Sequence, residues 1–170
     1  MGCKKETLDI QVYFPGPMTY GKIMATKGDK EWLASGLALR RTDRPDEYIG
    51  IHGSTYSEEG FWREDFLFYK VPISEGEYPI KGNNPEYDGF VSAHYAILAD
   101  DGDILEDIYV PDDDRSDNWL TITEIDTVIN MAKGMFNVSF ILSNPDEKIN
   151  PQNPDRITFS NGEFEVQIRE

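Results

Sequence analysis

The segment "DRITFSNGEFEVQIR" (155–169) alternates apolar and polar side chains over most of its length. Its second half, 163–169, places one aromatic and two aliphatic side chains on one face, with charged and polar residues between them. Successive side chains of a β-strand point to opposite faces of the sheet, so this period of two predicts a strand with one buried face. Asn161 and Gly162 join two alternating runs, and Asn-Gly in that position predicts a hairpin with a type I′ turn.

The same period of two recurs through the chain, between stretches rich in Gly, Pro, Asn and Asp that favour turns. The best helix-forming segment, "EWLASGLALRR" (31–41), is interrupted by Gly36 and fits a strand equally well. The predicted strands are 8–14, 22–26, 31–41, 47–55, 61–71, 76–80, 91–99, 104–110, 118–125, 128–133, 136–142, 155–160 and 163–169.

Short strands separated by regular turn signals are typical of an all-β domain. We therefore predict an antiparallel β-sandwich or flattened β-barrel of about ten strands, with little helix, as one domain over 8–170 after a tether at 1–7. A chain of 170 residues can bury a substantial core without a disulfide or a metal ion. Asp126 and Thr127 are predicted to form a tight turn, and Gly134 a bulge.

The chain is strongly acidic, with 32 Asp and Glu against 16 Lys and Arg and a net charge of −16. A phosphate backbone is repelled by such a charge, so we predict that nucleic acid is not a partner. The densest acidic stretch, 100–117, is predicted to form solvated turns.

Residues suited to catalysis are few. His52 and His94 both lie on alternating segments, where a surface or hydrogen-bonded structural histidine is more common than a catalytic one. Two isolated histidines and one cysteine make no spaced ligand set for zinc, and no Gly-x-Ser-x-Gly elbow is present. We therefore predict no catalytic residue and no cofactor. Two alternatives stay open: a glycan-acting enzyme with paired carboxylates, and a lipocalin-like barrel that carries a small apolar ligand.

Two further patterns indicate ligand binding. The stretch "DDGDILED" (100–107) gathers hard oxygen ligands, so Asp101, Asp103 and Asp107 are candidates for calcium, although its glycine is misplaced for an EF-hand loop. The favoured interpretation of this stretch is an acidic hairpin tip.

Trp62 and Trp119 each border a polar turn. Exposed tryptophans of this kind are candidates for binding sugar or peptide. More often, such a residue caps the end of a hydrophobic core, and that interpretation is favoured here.

The segment "MGCKKE" (1–6) holds the chain's single cysteine, Cys3. One interpretation is a free thiol, because a lone cysteine has no internal disulfide partner. A second is N-myristoylation, although Glu6 stands where that pattern has Ser or Thr. The favoured interpretation is that Gly-Cys-Lys-Lys is similar to the end of a bacterial lipoprotein signal, here without its apolar region, and that Cys3 carries the lipid.

Six motifs occur in the same order as in a known group of proteins, over 22–168. They are "GDKEW" (28–32), "GEY" (76–78), "AHYAI" (93–97), "LTITEID" (120–126), "KGMF" (133–136) and "NGEFEV" (161–166). This arrangement resembles the small cell-envelope lipoproteins of the Bacteroidetes, an uncharacterised all-β family. The resemblance implies a domain anchored to the outer membrane through Cys3, without an assigned reaction, and it makes Thr127 in "DTV" a candidate for O-linked glycan.

From the residues and the resemblance together, we predict a non-enzymatic envelope protein that binds a ligand or partner. An envelope protein and a glycan are both candidate partners, and the membrane is reached through the lipid on Cys3. The fold alone does not identify the ligand.

Overall fold

The computed structural model describes residues 13–82 and 89–170. These residues form ten β-strands and one three-residue 3-10 helix, Pro145–Glu147. The strands are β1 (Gly21–Lys27), β2 (Lys30–Arg40), β3 (Tyr48–Tyr56), β4 (Trp62–Pro72), β5 (Gly76–Lys81), β6 (Val91–Leu98), β7 (Leu105–Pro111), β8 (Trp119–Asp126), β9 (Met131–Leu142) and β10 (Arg156–Arg169). The predicted all-β class with about ten strands is confirmed. Of the predicted strand 8–14, all but the last two residues lie outside the described residues, and Phe14 forms an isolated bridge with Tyr56.

The strands belong to one sheet that closes into a ring. Antiparallel pairs link β9, β10, β1, β2, β3, β4, β6 and β7 in turn, and β7 pairs back with β9. β5 and β8 lie between β6 and β9, where β5 runs parallel to β6 and antiparallel to β8. The end of β10 also runs parallel to β2. Closure gives each of the ten strands a partner on both sides.

Aromatic rings fill the space inside this ring of strands. Five phenylalanines with no exposed surface meet there, with ring centroids 4.8 to 6.0 Å apart and mostly edge-to-face contacts. Such contacts add to the free energy gained by burying the rings. The five are Phe66, Phe68, Phe136, Phe140 and Phe159.

The predicted hairpin at Asn161 and Gly162 is wrong. β10 runs straight through both residues, and it pairs with β9 on either side of a bulge. A type I′ turn needs positive φ at both central residues, whereas only Asn161 has it, at 50°. A Cβ atom on Gly162 would lie 2.5 Å from the ring of Phe136, so the glycine is required for packing.

The predicted turn at Asp126 is confirmed. Its carboxylate accepts hydrogen bonds from the backbone N–H groups two and three residues further on, at 2.8 and 3.0 Å. The strand predicted at 128–133 starts at Met131 in the structure, three residues later than expected. It forms one continuous strand, β9, with the strand predicted at 136–142. The bulge expected at Gly134 lies on the opposite strand, β8. A Cβ on Gly134 would lie 2.1 Å from the carbonyl oxygen of Thr121, which explains the glycine.

Candidate functional site

A groove of about 650 Å³ crosses the outer face of β2, β3 and β4. One wall is the segment before β1, which two backbone hydrogen bonds hold against the sheet: Ser35 N to Pro15 O, at 3.0 Å, and Gln167 N to Tyr20 O, at 2.7 Å. The aromatic residues that line the groove are Tyr20, Tyr56 and Trp62, and the leucines are Leu37, Leu39 and Leu67.

The alternation of the strands explains how this groove forms. On β2, Ala34 and Ala38 point into the core, and the two leucines that flank Ala38, Leu37 and Leu39, point outward. The strand register then places Leu37 beside His52, and His52 beside Leu67. The outward positions that the core does not use therefore form an apolar floor.

Trp62 borders this floor with its side chain partly in solvent. The residue is 38% exposed, and its indole N–H donates to the backbone oxygen of Glu64 at 2.9 Å. A bulge in β4 against β3 separates Trp62 from Glu64, so that Trp62 lines the outer groove whereas Glu64 points inward. The hydrogen bond fixes the orientation of a large aromatic side chain that the fold leaves partly exposed.

A chain of three polar side chains lies beside the groove. The Tyr69 hydroxyl is 2.5 Å from His94 Nδ1, and His94 Nε2 is 3.1 Å from an oxygen of Asp65. Burial and the negative charge of Asp65 raise the pKa of Tyr69. The phenol thus stays protonated and donates to Nδ1, which leaves Nε2–H to donate to Asp65. His94 is hydrogen-bonded, as the sequence predicted, and it orients Asp65 in the groove lining.

His52 lies in the groove itself. Burial lowers its pKa, against the opposing effect of the Asp65 charge. The ring is therefore neutral at pH 7, with one nitrogen able to donate and the other able to accept a hydrogen bond.

A second cavity, also of about 650 Å³, has an acidic lining that includes Glu58, Glu59 and Asp100. Arg63 lies among these carboxylates, with Nη1 at 3.0 Å from Asp100. Hydrogen bonds from its own backbone N–H and from Ser57 lower the pKa of Glu59. A general acid for glycoside hydrolysis needs a raised pKa, which is the opposite shift.

Glu64 is a fully buried carboxylate that the sequence analysis did not single out. It pairs with Lys27 and accepts hydrogen bonds from Trp32 Nε1 at 2.7 Å, Thr55 Oγ1 at 2.6 Å and the Tyr95 hydroxyl at 2.5 Å. Burial acts to raise the pKa of Glu64, but the Lys27 charge and the donated hydrogen bonds outweigh it and lower the pKa. Glu64 is thus a fixed anion at pH 7. The sequence does carry a signal for this residue, because Glu64 alternates in phase with Phe66 and Phe68, which point inward on β4.

The three calcium candidates do not come together. Asp101 and Asp103 lie in the exposed turn between β6 and β7, as expected for an acidic tip. Asp107 is buried, and it accepts hydrogen bonds from Ile149 N at 3.0 Å and Asn153 Nδ2 at 2.6 Å. Within 13–82 and 89–170, no group of three or more His, Cys, Asp or Glu side chains is arranged to hold a metal ion.

The other predicted site residues are separate from one another. Trp62 lines the groove, whereas Trp119 is half-buried at the start of β8, outside the groove lining. Thr127 is exposed in the turn between β8 and β9. Cys3 lies outside the described residues.

Comparisons of the chain with protein-family models, with curated proteins and with solved structures found no match. In the part of the chain that the structure describes, no helix is long and apolar enough to cross a membrane. The resemblance to envelope lipoproteins and the lipid on Cys3 stay predictions.

Proposed function

We propose that this protein is a non-enzymatic binding protein of the bacterial cell envelope, and that a glycan binds in the groove on the outer face of the sheet. The observation that carries the proposal is Trp62. Its ring is held by the bond to the Glu64 carbonyl and is 38% exposed beside an apolar floor. A preoriented aromatic side chain loses little conformational entropy when it contacts a ligand.

The mixture of groups in the groove suits a glycan. A sugar ring has apolar C–H faces, which stack on aromatic rings, and hydroxyl edges, which need hydrogen-bond partners. Tyr56 and Trp62 supply rings, while His52, Ser54 and Asp65 supply donors and acceptors in the same groove. A purely apolar ligand would cover these polar groups without replacing their hydrogen bonds to water.

The closed sheet favours a glycan over an extended peptide. Peptides often bind by adding a strand to a free sheet edge. All ten described strands already have partners on both sides, and the groove crosses the strand faces. Main-chain pairing with a peptide therefore has no edge to use at this groove.

The carboxylates favour binding over hydrolysis. A glycoside hydrolase uses a pair of carboxyl groups, one of them with a raised pKa. Asp65 is the one carboxylate among the described residues that line the groove, and His94 already contacts it. The aromatic rings inside the sheet likewise favour a surface ligand over one carried in the interior.

The lipid anchor rests on the sequence around Cys3. We expect mass spectrometry of the protein isolated from its native membrane to find acyl mass on the peptide that contains Cys3. Several acyl chains on one cysteine supply the multiple signals that stable anchoring needs. An unmodified thiol in that peptide rules the anchor out and leaves the groove proposal intact.

Glycan binding is tested by replacing Trp62. Calorimetric titration of a panel of bacterial and host oligosaccharides should identify a ligand for the wild-type chain. Trp62→Ala should weaken its binding about thirtyfold, because truncating a central aromatic contact costs about 2 kcal/mol. Trp119→Ala is the matched control, and it should bind as the wild type does once thermal melting shows that both variants fold. Equal binding by Trp62→Ala would refute the assignment of the groove.

A further inference from the structure

A third, smaller cavity has a mainly basic lining, in contrast to the acidic chain as a whole. It measures about 300 Å³ and lies where β2 and β4 end and β3 begins. Its lining includes Arg41, Arg44, Lys70 and Tyr48, with Asp43 as the one carboxylate among the described lining residues. Three of the chain's 16 basic residues thus line one small cavity in a protein of net charge −16.

The acidic residues nearby leave part of this positive charge uncompensated. Asp43 accepts two hydrogen bonds from Arg41, at 2.8 and 2.9 Å, which satisfies one side of that guanidinium group. Arg44 Nη1 is 3.5 Å from a Glu47 oxygen, a looser and more exposed contact. The side chain of Lys70 has no hydrogen-bond or ion-pair partner among residues 13–82 and 89–170. Its ammonium group is therefore available to a ligand.

The backbone at Lys70 points to the same conclusion. Lys70 has φ of 52° inside β4, at a bulge between the pairs Ile49–Val71 and Ile51–Phe68. Left-handed backbone is unfavourable for a residue with a Cβ atom, and glycine or asparagine suits it better. Bulges commonly redirect a side chain, and backbone strain of this kind concentrates at functional positions. No side-chain hydrogen bond or ion pair among the described residues compensates for a lysine here.

We propose that this cavity binds a tetrahedral oxyanion, namely the phosphate or sulfate group of a ligand, with Lys70 and Arg44 as its cationic partners. Tyr48, whose side chain carries a hydroxyl donor, also lines the cavity. The net charge of −16 does not prevent this, because charges more than about 8 Å away are largely screened at physiological salt. The cavity volume of about 300 Å³ is enough for one such anionic group.

The test uses calorimetric titration of the full chain with inorganic phosphate. We expect binding that weakens as salt is added, and a loss of about tenfold or more in Lys70→Asn, since a charge-assisted hydrogen bond is removed. Asparagine tolerates left-handed backbone, so the melting temperature should hold or rise. Weaker phosphate binding without a lower melting temperature therefore distinguishes a binding role for Lys70 from a structural one. Lys133→Asn, which removes a surface ammonium paired with Glu124, is the control and should bind like the wild type.

Vesicles distinguish the source of the anion. The vesicle test uses protein whose Cys3 is not acylated, because a lipid anchor would bind any vesicle. Binding to phosphatidylglycerol vesicles, but not to phosphatidylcholine vesicles, that is lost in Lys70→Asn assigns the cavity to a lipid headgroup. Phosphate binding without vesicle binding assigns it to a soluble or glycan-borne phosphate. The proposal is overturned if inorganic phosphate does not bind to the wild type, or if Lys70→Asn binds it equally well, whatever the vesicles do.

Discussion

Glu64→Ala is expected to lower the free energy of unfolding by about 3–5 kcal/mol, the range seen when one partner of a buried ion pair is removed. The carboxylate accepts from four side chains, and Trp32, Thr55 and Tyr95 would lose their acceptor in a buried site. Lys27 would lose its counter-charge. Urea denaturation at pH 7 measures the effect.

The pH dependence gives an independent check on Glu64. Its pKa is lower in the folded protein than in the unfolded chain, so its contribution to stability is fully present above the unfolded value of about 4.3. That contribution is lost as the pH falls through the folded value. The stability difference between wild type and Glu64→Gln should therefore narrow below about pH 4.

The control for Glu64→Ala is Glu31→Ala, at an exposed position on β2, which should change the free energy of unfolding by less than about 0.5 kcal/mol. A similarly small change for Glu64→Ala would contradict the assigned network.

Phe66→Ala is expected to destabilise the protein by a similar amount, about 3–5 kcal/mol. Phe66 has no exposed surface and contacts five other aromatic rings at centroid distances of 4.8 to 5.8 Å. Those rings come from several strands that close the sheet, so a cavity at this point is hard to refill. The same urea titration measures the loss, which should shift the midpoint with little change in slope.

Phe61→Ala provides the matched comparison for Phe66. Phe61 lies just before β4 and is 48% exposed, so its truncation should cost less than about 0.5 kcal/mol. Equal losses for Phe61→Ala and Phe66→Ala would mean that the rings inside the sheet are not the principal core.

The sequence predicted the strands well because each strand buries one face, and a period of two is visible in the residues themselves. It failed at Asn161 and Gly162, where the local signal for a hairpin competes with packing. The ring of Phe136 lies against Gly162, and pairing with β9 continues on both sides of the bulge. A contact between residues on different strands carries no local pattern, so the sequence could not predict it.

The candidate site was predictable only in part. Trp62 was identified because it borders a polar turn, and the structure places it in a groove. The chain from Tyr69 through His94 to Asp65 depends on the register of β4 and β6, which periodicity does not supply. The basic cavity around Lys70 was hidden for another reason. A net charge is a sum over the chain, and it conceals a local excess of the opposite sign.

The central claim is that a glycan binds in the outer groove, and the three tryptophans allow it to be tested directly. Each indole N–H gives one signal in a nitrogen–proton NMR correlation spectrum. As a binding oligosaccharide is added, the Trp62 signal should shift and saturate, while the signals of Trp32, in the core, and Trp119, on β8, stay in place. A Trp62 signal that does not move while the ligand saturates the protein would contradict the account.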